Sequence, residues 1–78
     1  MYKLLVRFLL VHNNQVIEVY LDKRLSFNEN LKIIKDLIEL DKDEFYIYDP
    51  IRKIFLDRNI SLSSFKIETF RMFYLFAS

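Results

Sequence analysis

Leu56-Asp57-Arg58-Asn59-Ile60-Ser61-Leu62-Ser63-Ser64-Phe65-Lys66-Ile67 is the stretch whose reading decides the fold. Leu56 closes a short run of β-branched and aromatic residues, Lys53-Ile54-Phe55-Leu56, and the polar Asp57-Arg58-Asn59 breaks it as a loop. Ser61 to Phe65 then has room for one helical turn beneath a sheet, too short to stand as a helix without tertiary packing. Just upstream, Phe45 to Tyr48 is another short strand, stopped by the turn signal Asp49-Pro50. Downstream, Thr69 to Phe76 alternates as a last strand. Phe70, Met72, Tyr74 and Phe76 lie on one side of it, with Arg71, Phe73 and Leu75 on the other.

The first half of the chain supplies what this segment packs against. Tyr2 to Val11 alternates with Leu4, Val6, Phe8 and Leu10 on one face and Lys3, Leu5, Arg7 and Leu9 on the other. Val16 to Leu21 alternates again, and His12-Asn13-Asn14-Gln15 between them predicts a hairpin turn with Asn in left-handed positions. Ser26-Phe27-Asn28-Glu29 is a capping box, in which the Ser hydroxyl and the Glu carboxylate each satisfy a free backbone N–H of the other residue. Leu31, Ile34, Leu37 and Ile38 follow at helical spacing, predicting a helix over Phe27 to Leu40. The pairs Lys32/Asp36 and Lys35/Glu39 fall on its wet side. Asp41-Lys42-Asp43 ends it.

Composition narrows the chemistry. Seventy-eight residues give one domain with one hydrophobic core, residues 1–78, and no linker, repeat or low-complexity tract divides them. With no Cys for disulfides and one His, the core rests on apolar side chains, which make up 53% of the chain. No Gly is present either, so any residue with positive φ is expected to be Asn or Asp. Twelve Lys and Arg against 11 Asp and Glu leave a net charge of +1, too balanced for general attraction to nucleic acid or anionic lipid. The run Leu4 to Val11 is interrupted by Arg7, lacks a cleavage site and is far short of the roughly 20 apolar residues that span a bilayer. It reads as a strand, and the expected location is cytoplasmic.

Hairpin, helix, two short strands, a one-turn helix and a final strand resemble the ubiquitin-like β-grasp order. The likeness is sharpest where Leu56-Asp57, a polar stretch and Leu62-Ser63-Ser64-Phe65-Lys66-Ile67 resemble the corresponding ubiquitin segment, and it extends over nearly the whole chain. The resemblance implies an α+β fold: a mixed sheet of four to five strands in the order ββαββ, one main helix on one face, and Leu62, Phe65 and Ile67 plugging the core. Two departures matter for function. The chain ends Leu75-Phe76-Ala77-Ser78 without the Gly-Gly of conjugated or sulfur-carrying relatives, and it lacks the cysteines of β-grasp ferredoxins. Length, the absent diglycine and the strand-loop-helix stretch Leu21 to Asp41 are similar to the small ubiquitin-like cytosolic proteins of bacterial type VII secretion loci.

No residues assemble into catalytic machinery. His12 sits in a predicted turn with no nucleophile or orienting carboxylate beside it, and reads as solvated. Asp41, Asp43 and Glu44 lack the Gly turn and distal Glu of a calcium loop, and read as a solvated helix end. No cofactor or metal is expected. A nucleic-acid reading would need Lys3, Arg7 and Arg71 with nearby aromatics, against a neutral charge balance. The informative feature is the sheet face away from the helix. With Leu4, Val6, Phe8, Ile17, Val19, Phe45, Ile47, Phe70 and Met72 inside, alternation leaves Leu5, Leu9, Tyr20, Tyr46, Tyr48, Phe73 and Leu75 outside. That set is apolar, and exposed apolar patches with aromatic anchors mark interaction surfaces. The expectation is a non-enzymatic protein-interaction module docking through Leu5, Arg7, Tyr46, Tyr48, Phe73 and Leu75. A homodimer or an assembly subunit with the patch permanently buried is the alternative.

Overall fold

The computed structural model describes residues 2–33, 35 and 44–77. The elements are β1 (Lys3–Leu10), β2 (Gln15–Asp22), α1 (Phe27–Ile33), β3 (Phe45–Asp49), β4 (Ile54–Leu56), a 3-10 turn (Leu62–Ser64) and β5 (Met72–Ala77). All five strands join one mixed sheet in the order β2-β1-β5-β3-β4. β5 runs parallel to β1 and antiparallel to β3, so the first and last strands are central neighbours, as in a β-grasp.

The local signals in the first half form as the residues dictate. β1 and β2 pair antiparallel from Lys3↔Asp22 to Leu10↔Gln15. Of the Asn pair expected in left-handed positions only Asn14, at φ 56°, takes one; Asn13 instead uses its side-chain oxygen, which accepts from the Gln15 N–H at 3.2 Å. At the helix start, the Ser26 hydroxyl accepts from the Glu29 N–H at 3.1 Å, and Glu29 Oε1 accepts from the Ser26 N–H at 3.3 Å. The predicted continuation of α1 to Leu40, with Ile34, Leu37, Ile38, Asp36 and Glu39, lies outside the described residues.

One buried polar side chain ties helix to sheet. Asn30, 4% exposed, accepts from the Asp22 N–H at 2.7 Å and donates to the Asp22 and Ser26 carbonyls at 3.0 and 2.9 Å. Its amide thus meets the free edge of β2 as one residue of a neighbouring strand would. Asn30→Ala leaves the Asp22 N–H and two carbonyls without these partners. A loss of about 1–3 kcal/mol in urea unfolding is expected, with the slope of the transition unchanged.

The core is sealed by aromatic contacts. Phe8, Phe27 and Phe73 are all fully buried, and their ring centroids lie 5.8–6.3 Å apart. Leu62 rises from the one-turn helix at 1% exposure, and Phe65 and Ile67 pack half-buried beside it. The three positions carried over from the ubiquitin resemblance therefore all meet the core.

Two expectations are corrected. Positive φ is not confined to Asn and Asp: Lys53 has φ 58° and Phe70 φ 63°. Lys53 ends the turn after β3, where its N–H donates to the Asp49 carbonyl at 2.8 Å. Phe70 is a bulky residue in a costly conformation, held by its N–H donating to the Leu5 carbonyl at 2.7 Å and by Arg7 lying over its ring at 5.8 Å. That kink delays β5 until Met72, and Phe70 itself is turned to solvent at 54% exposure.

The second correction concerns the two faces of β5. The register Arg7↔Met72 and Phe8↔Phe73 puts Phe73 beneath the sheet beside Phe8, and Leu75 beside Leu10. Phe73 and Leu75 are both 0% exposed, so these two expected surface residues are core. Met72, together with Tyr74 and Phe76, takes the outer face instead of the inner one. Both sets of the strand are apolar, so alternation alone separates them without saying which faces the helix.

Two charged residues pair at one corner of the core. Asp49 continues the inward set Phe45 and Ile47 and is 1% exposed. Its carboxylate accepts from the Arg71 guanidinium at 2.5 Å, from the Ile51 N–H at 2.9 Å and from the Arg52 N–H at 3.3 Å. Arg71 lies over the Phe73 ring at 5.4 Å. A charged residue therefore belongs to each inward set without touching bulk water freely.

Candidate partner-binding face

Alternation and pairing place the outer-face residues. Across β1 and β2, Leu5 faces Tyr20, Arg7 faces Glu18 and Leu9 faces Val16. Across β5, β3 and β4, Tyr74 faces Tyr48, Phe76 faces Tyr46, and Tyr48 faces Phe55. Residues directly opposite in a sheet project from the same face, so these side chains form one surface.

The β3-β4-β5 end is a cluster of aromatics. Tyr48 and Phe55 meet edge-on at 5.0 Å, Tyr46 and Phe55 at 6.5 Å, Tyr48 and Tyr74 at 6.1 Å, and Phe55 and Phe76 at 6.1 Å. These separations fall in the favourable range for ring pairs, which holds the cluster in one shape in the free chain. Tyr46 is nevertheless 52% exposed and Phe55 62%. With Phe76 these two line an open apolar hollow. Arg58 borders it, its guanidinium 5.9 Å from the Tyr46 ring and donating to the Phe45 carbonyl at 2.6 Å.

The β1-β2 end is mixed. Arg7 pairs with Glu18 at 3.0 Å, both side chains about half exposed, amid Leu5, Leu9, Val16 and Tyr20. An ion pair this open is worth about 0–1 kcal/mol, so it shapes recognition more than it stabilises the sheet.

Four of the expected contact residues, Leu5, Arg7, Tyr46 and Tyr48, lie on this face. Phe73 and Leu75 do not, and their places are taken by Met72, Tyr74 and Phe76 of β5 and Phe55 of β4. A signal for Phe55 was present in the short run Ile54-Phe55-Leu56, whose middle residue must oppose its neighbours. Lys3, Arg7 and Arg71 form no basic cluster, because Arg71 turns inward to Asp49 while Arg7 engages Glu18. His12 is exposed in the hairpin turn, and Asp41 and Asp43 lie outside the described residues. Among the described residues, no group of three or more His, Cys, Asp or Glu is placed to hold a metal ion. No helix among them is long and apolar enough to cross a membrane.

Comparison with solved structures establishes the class of fold. Caldiarchaeum subterraneum ubiquitin matches with a TM-score of 0.76 at 12% identity, over 97% of this chain and 94% of that one. The C-terminal ubiquitin-like domain of mouse tubulin-specific chaperone e matches with a TM-score of 0.71 at 15% identity, over 97% and 87%. A chain of the toluene 4-monooxygenase HD complex with the inhibitor 4-bromobenzoate matches with a TM-score of 0.73 at 7% identity, over 97% and 99%. The fold is a ubiquitin-like β-grasp. No family model matches the chain, and neither does any curated protein.

Proposed function

We propose that this chain is a non-catalytic protein-interaction module that docks a partner on its outer sheet face. The observation that carries this reading is the ring cluster of Tyr46, Tyr48, Phe55, Tyr74 and Phe76, in which Tyr46 and Phe55 are exposed, the other three half-buried, and all braced by ring contacts. Pre-braced aromatic side chains lose little entropy on binding and dominate interface energetics. Leu5 and Arg7 extend the footprint toward β2, with the Arg7–Glu18 pair at its polar rim.

The finer reading is a cytoplasmic accessory protein of a bacterial type VII secretion system. It rests on the strand-loop-helix pattern of the sequence from Leu21 to Asp41. The probe is therefore the purified cytosolic domains of such a machine, titrated against native chain and against Tyr46→Ser/Phe55→Ser. Tight binding by the native chain, weakened at least about 100-fold in the double variant with the far-UV spectrum unchanged, is the expected result for two anchor residues. Binding that ignores the double variant would remove the face from the interface. No binding to any of those domains would remove the secretion reading while leaving the face open to other partners.

A second reading has one observation in its favour. The monooxygenase chain, matched over 99% of its length, comes from a complex, as a permanent assembly subunit would. In that case the aromatic face is covered throughout the life of the protein. The isolated chain would then self-associate through it, which light scattering of native chain and double variant would reveal.

A further inference from the structure

The unpaired edge of β2 has a geometry the proposed face does not use. β2 is terminal in the sheet, and Lys23 N–H donates to the Tyr2 carbonyl at 2.7 Å. In an antiparallel ladder, residues whose backbone groups bond the neighbour alternate with residues whose groups point away. Counting back from Lys23, residues Leu21, Val19, Ile17 and Gln15 bond β1, while Asp22, Tyr20, Glu18 and Val16 aim N–H and C=O outward. Asn30 already occupies both groups of Asp22. The open stretch is thus three residues, Val16, Glu18 and Tyr20, with no strand beyond it among the described residues.

We propose that this edge pairs with the same edge of a second copy, antiparallel, about a two-fold axis through Glu18. The stretch is self-complementary in that register. Glu18 meets Glu18 of the partner copy, and each Val16 meets the other copy's Tyr20, a β-branched against aromatic pair of the kind that stabilises sheets. All three outward residues of each chain are used. Moving the register one step toward the strand end would require Asp22, which Asn30 blocks, and one step the other way would require Asn14 in the turn. The two Glu18 carboxylates do not meet unscreened, because each already accepts from its own Arg7 at 3.0 Å. The axis is perpendicular to the sheet, so both outer faces point to the same side of one continuous ten-stranded sheet (twice the five of each copy). Unpaired N–H and C=O groups along an edge strand are a template for pairing with another chain.

The chain has no cysteine, which makes the register directly testable. Directly opposed residues in a hydrogen-bonded antiparallel pair have Cα atoms about 5.5 Å apart, within the span of a disulfide. Glu18→Cys should therefore form a cross-linked dimer on mild oxidation, whereas Val16→Cys and Tyr20→Cys, offset from their own counterparts, should not. Val16→Pro removes one outward N–H, a change an edge strand tolerates, and should leave the fold intact by circular dichroism but render the chain monomeric by light scattering. Equal cross-linking of all three cysteine variants, or a native chain that stays monomeric at high concentration, would overturn the proposal. A dimer that survives Val16→Pro but is lost in Tyr46→Ser/Phe55→Ser would also overturn it, and would assign the contact to the aromatic face.

Discussion

Phe73→Ala is expected to lose about 3–5 kcal/mol of folding stability, because the deleted ring leaves a cavity between Phe8 and Phe27. A domain of this size has total stability on the order of 5–15 kcal/mol, so the loss removes a large share of it and should lower the urea midpoint sharply. Tyr46→Ser, on the opposite face and 52% exposed, should cost about 1 kcal/mol or less. Urea denaturation of the two variants compares the faces directly. Equal losses would mean that the register Phe8↔Phe73 is wrong. The experiment also separates a packing role from a binding role: a partner-binding defect in Phe73→Ala would be a defect of folding.

Asp49→Ala is expected to be nearly as damaging, at about 3–5 kcal/mol, because it strands the Arg71 guanidinium in a largely buried position. It also removes the acceptor for the Ile51 and Arg52 N–H groups that shapes the turn after β3. The pH dependence has a definite sign. Burial pushes the Asp49 carboxyl up, but its hydrogen bond from Arg71 and those from the Arg52 and Ile51 backbone outweigh this and hold it below the ordinary carboxylate range. A carboxyl depressed in the folded state binds fewer protons there than in the unfolded chain, so stability rises with pH across that window. The contribution is fully present above the unfolded value of about 4 and disappears as pH falls through the folded one. Asp22, held at about 2 chiefly by its hydrogen bonds from the Arg24 side chain and backbone, adds a second contribution of the same sign. The urea midpoint of the native chain should thus be level from neutral pH to about pH 5 and fall below about pH 4. Asp49→Asn should flatten that fall while leaving the part due to Asp22. An acid limb identical to that of the native chain would show that Asp49 carries no such linkage.

Local chemistry makes much of the fold legible in the sequence. The Asn13-Asn14 turn, the Ser26/Glu29 capping box and the alternation of β1 and β2 depend on neighbours a few residues away, and each formed as its residues dictate. The Leu62-to-Ile67 segment was legible because its apolar spacing matches a known way of plugging such a sheet. Phe70 was not legible as a positive-φ residue, since what holds it is a hydrogen bond to distant Leu5; Lys53 is held locally, by Asp49, but its side chain carries no preference that marks positive φ.

The exposed face was legible as an apolar surface but not in its membership. Sequence by itself determined that β5 carries two apolar sets, that the chain has no cysteine chemistry, and that a surplus of aromatics must appear on one side of the sheet. Only the tertiary structure decided which set that is. The choice turns on the parallel register of β5 against β1 and on the inward pairing of Arg71 with Asp49, contacts between residues 22 and 64 or more positions apart. Short-range periodicity carries no information about either, because a two-residue alternation is identical for a strand and for the same strand turned over.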